Sequence, residues 1–414
     1  MSTPSLVEHF FRREYASLVA VLSRRFGLQQ FDAIEDAVQS ALLTALDTWT
    51  LRGLPDNPSA WVFRVASNNL LATLRGESNR RRLLHEIPEQ ETEANLSDPS
   101  VYLPGEIEDE LLRMLFLCCD DAIPQESQLV FALKTLCGFN IAEIALRLFT
   151  TEANVYKRFG RARDRLRKQS DWLKEGHSDQ YTQRLLGVQK VIYVLFTEGY
   201  LSSHAVETIR RELCEEAIRL GELLANHSTC ATPETFALLA LMNLHLARMT
   251  ARVDGSGGLL LLEEQDRSLW DQERIAMGLA WLAKSARGDQ FTRFHAEAGI
   301  AAEHCLAPSY RETRWDRIVE SYTVLEGLAP SPVHKLNRAI AVAEWRGPKA
   351  GLEILKDFDP PRWLEGTYLW SAVLADLYRR CGHIEKAKQY REAALNTAPT
   401  EALKKLLHRR LEIA

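Results

Sequence analysis

A continuous apolar run long enough to cross a membrane, about 18 residues, is missing from this 414-residue sequence. Its opening stretch, MSTPSLVEHFFRREY, is broken by charge and lacks the apolar core of a secretory signal. A soluble, cytoplasmic protein with no membrane partner is the expectation. Cysteine is sparse and irregular: seven residues, an odd number with no CxxC pair, which argues for reduced thiols and against a secreted disulfide framework. The adjacent Cys118 and Cys119 lie in an apolar run and read as small buried hydrophobes rather than a redox pair. A phosphate-cradling loop is also lacking, because Gly255, Gly257 and Gly258 in DGSGGLLLL have neither a following Lys nor a preceding strand. Strand-like alternation between turn signals is essentially absent. An all-α fold follows.

What is present is ordinary globular composition, 46% hydrophobic and 26% charged. The length suits two to four domains at roughly 100 to 200 residues each. The net charge of -5 conceals a sorted distribution. Residues 1–82 carry ten bases and eight acids, whereas Leu83 to Leu112 contains nine acids and no Lys or Arg. Nine bases face four acids from Gln125 to Ser170, and seven of the nine fall between Lys157 and Lys168. Residues 171–414 are nearly neutral, with 31 bases and 33 acids. Pro88, Pro99, Pro104 and Gly105 punctuate the acidic stretch, so an extended, solvated linker fits it better than a helix. The expected organisation is a helical domain over 1–85, a linker over 86–107, a basic domain over 108–170 and a helical block over 171–414.

Apolar residues recur at helical spacing in Leu18, Val21, Leu22, in Ala37, Ala41, Leu42, Ala45, Leu46, and in Leu111, Leu115, Phe116. The sharpest local pattern lies between Gln125 and Lys168. Pro124 opens a helix through Leu136, Gly138 ends it, Ile141–Leu148 forms a short helix, and Thr151 caps another starting at Glu152. This is helix-turn-helix spacing, with Ala142, Ile144, Ala145 and Leu148 expected to pack the helices together. In that geometry the N-terminal part of the second helix enters the major groove. Thr151, Glu152, Asn154, Tyr156, Lys157, Arg158 and Arg161 would then meet base edges or flanking phosphates. Arg163, Arg165 and Arg167 spread over more than one face, some for phosphate and others toward solvent or the preceding helices. A merely solvated basic helix is the competing reading.

These residues also carry a family resemblance. CGFNIAEIALRLFTTEANVYKRFGRARDRLRK resembles region 4 of bacterial sigma factors of the extracytoplasmic-function type. FDAIEDAVQSALLTALDTW is similar to their region 2.2 helix, with Asp36 and Gln39 in its D-x-x-Q core and Ser40 where an acid usually follows. NPSAWVFRVASNNLLATLR resembles regions 2.3 and 2.4. The resemblance implies that Asp36, Gln39, Leu43 and Asp47 lie on or near the helix that docks on the clamp of the largest subunit of core RNA polymerase. It implies that Asn57, in the loop Arg52–Ser59, and Asn68 capture an unstacked base of the -10 element. Arg75, Arg80, Arg81 and Arg82 would touch phosphate, and the acidic linker would follow the RNA exit path. Trp61 reads as core.

Beyond residue 170 the best internal signal runs from Tyr368 to Pro399. On a 34-residue tetratricopeptide template, Ala375, Tyr378, Gly382, Ala387, Tyr390, Ala394 and Pro399 take the small, aromatic and proline positions. Looser Ala-rich pairs precede it, so an irregular helical solenoid is expected. FTEGYLSSH, RELCEEAIRLGELL, LEEQDRSLWD and LNRAIAVAEWRGPKAGL resemble the C-terminal domain of the sigma-factor subgroup with a tetratricopeptide-like extension. Glu263, Glu264, Asp266, Arg267, Trp270 and Asp271 form a polar cluster, and His295 and His304 share a helix. Neither has the spacing of a catalytic or metal site, and a buried polar network is the preferred reading. The expectation is a non-enzymatic promoter-specificity subunit without cofactor or metal, whose partners are core RNA polymerase and promoter DNA. Its repeats would regulate it through a protein partner or an intramolecular contact. The alternative is a one-component helix-turn-helix activator with a repeat-type sensor domain.

Overall fold

The computed structural model describes residues 3–84, 104–120, 122–148, 150–168, 178–200, 211–254 and 258–412. Among the described residues the chain is helical with no strand, and an isolated bridge joins Val253 and Leu259. The chain divides into two compact units, one holding residues 1–198 and 215–230, the other 199–214 and 231–414.

The first unit contains α1 (Thr3–Phe26), α2 (Phe31–Arg52), α3 (Pro58–Leu84), α4 (Pro104–Cys118), α5 (Gln125–Thr135), α6 (Ile141–Arg147), α7 (Glu152–Arg167), nearly all of α8 (Ser178–Tyr200) and most of α9 (Arg211–Asn226). Each long helix buries one apolar stripe. On α2 it is Ile34, Ala37, Val38, Ala41 and Ala45, whose 3- and 4-residue steps keep them on one face. On α4 it widens to Leu111, Leu112, Met114, Leu115 and Phe116, all 4% exposed or less, so this helix is central. Cys118 and Cys119 are buried beside it, and burial pushes the Cys118 thiol up, as an inert core position should behave.

Two sequence expectations are corrected here. Residues 104–107, assigned to the extended linker, are the first turn of α4, with Pro104 at a position where a missing N–H is harmless. The expected boundary at 171 falls inside the first unit. Arg184 of α8 ion-pairs with the buried Asp120, Tyr181 meets Phe116 edge-on at 4.6 Å, and His227 packs on Tyr181 at 5.1 Å. The change in charge at 171 marks where the basic surface stops, which is not where packing stops. The rest of the expected linker, residues 86–103, lies outside the described residues.

The second unit runs through α10 (Pro233–Ala247), α11 (Gln272–Ser285), α12 (Arg293–Leu306), α13 (Trp315–Leu328), α14 (Pro332–Arg346), α15 (Pro348–Leu355), α16 (Arg362–Glu365), α17 (Tyr368–Arg380), α18 (Ile384–Thr397) and α19 (Glu401–Arg410). Most helices of this unit pack on their neighbours in the chain, as α10 does on α11, α13 on α14 and α17 on α18, the local contact a solenoid requires. The α17–α18 pair matches the repeat read from the sequence. Gly382 takes a φ of 78° between the two helices, a left-handed value that penalises other residues. Ala375, Ala387 and Ala394 are buried, and the Tyr378 and Tyr390 rings stack at 5.7 Å and 9°.

The polar cluster at 263–271 has local structural work. Asp266 caps a short 3-10 turn through Ser268 N, and Asp271 caps α11 through Arg274 N. Arg267 lies over the Trp270 ring and donates to the carbonyls of His304 and Ala307 at 2.7 Å each. Glu264 accepts both donors of a bidentate pair from Arg409. His295 forms a capping box with Thr292.

Candidate nucleic-acid interface

The helix α7 is built from its cap outward. Thr151 is extended, and its hydroxyl accepts from Asn154 N at 3.3 Å, satisfying one of the orphan donors of the first turn. One helix earlier, Asn140 and Glu143 exchange side-chain-to-backbone hydrogen bonds at 2.8 Å in both directions, which fixes the start of α6. Gly138, at a φ of 65°, makes the bend between α5 and α6. Ile144 and Ala145 are buried as expected, but Ala142 is exposed.

On α7 the buried side chains are Val155, Phe159, Ala162 and Leu166, spaced 4, 3 and 4 residues apart. The opposite face is left to polar groups. Thr151, Glu152, Asn154, Lys157, Arg161 and Arg165 are exposed, and so is Tyr156, 62% accessible, an unusual value for a large aromatic side chain. The expected DNA-reading residues are therefore all exposed along the N-terminal part of α7, with one exception. Arg158 is half-buried and ion-paired with Glu126 of α5, so it braces the helix from behind. Arg163 and Arg167 also turn inward, and both pair with Asp32 of α2.

A second exposed surface lies on α2. Asp36, Gln39, Leu43 and Asp47 step by 3, 4 and 4 and are all exposed, Leu43 at 63%. Leu51 and Leu54, at 86% and 74%, continue the apolar character past the end of the helix. These two leucines were not singled out from sequence, since an isolated Leu near a helix end carries no periodic signal. On α3, Asn68 and Arg75 are exposed and seven residues apart on one face, and Arg64, one turn before Asn68, joins them. The i−4 spacing to Asn68 was the signal that could have found Arg64. Asn57 has a structural task, because its side-chain oxygen accepts from Ala60 N at 3.1 Å and caps α3. Arg80 and Arg81 belong to the final turns of α3, and their side chains lie outside the described residues. Trp61 is half-buried and packs on Trp49 at 5.6 Å.

Among the described residues no group of His, Cys, Asp or Glu side chains is arranged to hold a metal ion, and no helix is long and apolar enough to cross a membrane. Residues 184–286 match a family of unknown function, DUF6596. An uncharacterized protein of Rhizobium meliloti (strain 1021) is 33% identical over 381 residues, covering 90% of this chain and 88% of that protein. No solved structure matches. The chain belongs to the family of that Rhizobium meliloti protein and contains a DUF6596 domain.

Proposed function

We propose that this chain is a cytoplasmic alternative sigma factor that binds core RNA polymerase, recognises -10 and -35 promoter elements, and is regulated by its C-terminal helical repeats. The observation that carries the reading is the division of α7. Four apolar side chains face inward, while Thr151, Asn154, Tyr156, Lys157 and Arg161 stand exposed around its capped N-terminus. An N-terminal helix end with that set of donors suits a DNA major groove, where side chains read base edges and the positive end of the helix faces phosphate. The exposed stripe Asp36, Gln39, Leu43 and Asp47 supports a second macromolecular partner, the polymerase clamp. The occurrence of DUF6596 in some sigma-70-like proteins points the same way. Capture of a -10 base falls to Asn68, with Arg64 and Arg75 for phosphate, and Asn57 serves chiefly as the cap of that helix.

The test is in vitro transcription and core binding with purified core polymerase. Stable association with core and promoter-dependent transcripts are expected. Loss of both sinks the reading, and duplex binding without core binding would favour a one-component activator.

A further inference from the structure

We propose that the second unit carries a binding site for a small zwitterion of the α-amino acid class, in a cavity lined by α12, α13, α14 and α19. The cavity measures about 230 Å³, against the roughly 150 Å³ that admits a benzene ring, so it suits a molecule of amino-acid size. It lies wholly within this unit, apart from the residues assigned to DNA and polymerase. Ile318 of α13 and Ile340 of α14 give it an apolar wall, and Tyr310, Trp315 and Tyr322 add aromatic rings. Trp315 meets both Tyr310 and His304 edge-on, at 5.2 and 5.4 Å, which fixes its orientation.

Two opposite charges also line this cavity without pairing with each other. Arg409 holds Glu264 through hydrogen bonds of 2.9 and 2.8 Å. Their sequence neighbours Arg410 and Glu263 both reach the cavity, yet among the described residues no ion pair joins them or gives Glu263 another partner. Arg410 has only Asp376, at 3.7 Å, beyond hydrogen-bond range. That carboxylate already receives Arg379 at 2.8 Å and Arg380 at 3.6 Å, so the donors of Arg410 remain available. Tyr310 stands within reach of both charges. Burial is the largest influence on its hydroxyl and pushes it up, Glu344 and Glu263 push it further, and Arg410 and Arg380 pull it down. A cation and an anion held apart on the walls of one cavity are matched by a ligand that carries both charges. Arg410 suits a carboxylate, which accepts two parallel N–H donors from a guanidinium. Glu263 and the aromatic rings suit an ammonium, drawn to the carboxylate and to the ring faces. Ile318 and Ile340 are left for the apolar part of the ligand.

The experiment titrates the full chain with three probes that share one ring: L-phenylalanine with both charges, 3-phenylpropionate with the carboxylate alone and phenethylamine with the ammonium alone. Binding is followed by ligand-observed NMR up to about 10 mM, and L-phenylalanine is expected to bind about tenfold more tightly than either analogue. Arg410→Gln should weaken L-phenylalanine about tenfold and leave phenethylamine unchanged. Glu263→Gln should weaken L-phenylalanine several-fold and leave 3-phenylpropionate unchanged. Because Glu263 is exposed, Glu263→Gln should melt with the wild type, and a weakened ligand then reports the site and not the fold. Equal binding of L-phenylalanine and 3-phenylpropionate to the wild type would overturn the zwitterion class. Absence of binding by all three probes, or L-phenylalanine binding that neither substitution moves, overturns the site itself.

Discussion

Tyr15 of α1 donates its phenolic hydrogen to Glu35 Oε1 of α2 at 2.5 Å, within the buried junction that Lys134 of α5 also reaches. Burial is the largest influence on Glu35 and pushes its carboxyl up. The Tyr15 hydrogen bond, Lys134 and Arg163 pull it down, and Asp32 pushes it further up. Between the ordinary value of 4.5 and the raised one, the folded chain holds a proton that the unfolded chain has released. Stability from this group therefore falls as pH rises through that window. Glu35→Gln keeps an acceptor for Tyr15 and has no charge to bury. It should flatten the pH dependence of the urea midpoint above about pH 4.5 and be at least as stable as the wild type near neutrality. An unchanged slope would remove Glu35 as its source.

The inward turn of Arg158 separates it from its neighbours on α7. Its partner Glu126 is largely exposed, so losing the pair in Arg158→Ala should cost the fold no more than about 1 kcal/mol. The outward-facing Arg161 is expected to matter more for DNA. Arg161→Ala should weaken duplex binding and lower the salt slope by about 1 if it contacts phosphate, or cost about 1 to 3 kcal/mol with relaxed sequence preference if it contacts a base. Binding titrations at several salt concentrations distinguish these cases. A larger loss in Arg158→Ala than in Arg161→Ala would mean that α7 presents a different face to DNA.

Much of this helix was legible in the sequence, because its evidence is local. The cap at Thr151 and the bend at Gly138 each need only a few neighbouring residues. The same holds for α17 and α18, whose small and aromatic positions follow a known repeat. The inward turn of Arg163 and Arg167 was open in sequence terms, since a basic helix with alternating arginines offers charge to every side. Their partner is 135 residues from Arg167, and no periodicity joins the two. Periodicity reports that a face is buried without reporting against what. For that reason α8 was assigned to the repeats, although Tyr181 and Arg184 pack on Phe116 and Asp120. The pairing of Asp32 with Arg163 and Arg167 is a relation between two separate helices, which no local pattern reports.

Two histidines in the second unit give that unit an acid-sensitive stability. His245 is held down to about 3, first by burial and then by Arg248, Arg252 and His304. His304 is also held down to about 3, by burial and then by Arg248 and Arg267. Below the ordinary value of 6.5 the unfolded chain takes up protons that the folded chain refuses, so stability is lost as pH falls from about 6.5. By pH 5 each histidine should cost about 2 kcal/mol relative to neutrality. His245→Gln should therefore melt at a temperature that changes less between about pH 7 and pH 5 than the wild type does. Parallel losses in both proteins would place the acid sensitivity elsewhere.

Gly351 sets the closest approach of α14 and α15. A Cβ added there would lie 2.7 Å from the Ala339 carbonyl oxygen and 2.7 Å from Ala343 Cβ, nearer than such atoms come. Helix propensity alone favours Gly351→Ala by about 1 kcal/mol, because alanine loses less backbone freedom on folding. Against this stands a clash with a backbone carbonyl and a methyl, neither of which can rotate away, in a core where overpacking typically costs about 1 to 3 kcal/mol. The neighbours Leu336, Ala339, Ala343 and Leu377 are all 2% exposed or less, so relief requires α15 to move as a body. The steric effect should win. Gly351→Ala should unfold at lower denaturant than the wild type, and Gly351→Ser, with a bulkier side chain and poorer helix propensity, lower still. A midpoint raised by alanine would mean that α14 and α15 slide apart without penalty, and that small residues in this solenoid do not set its helix spacing.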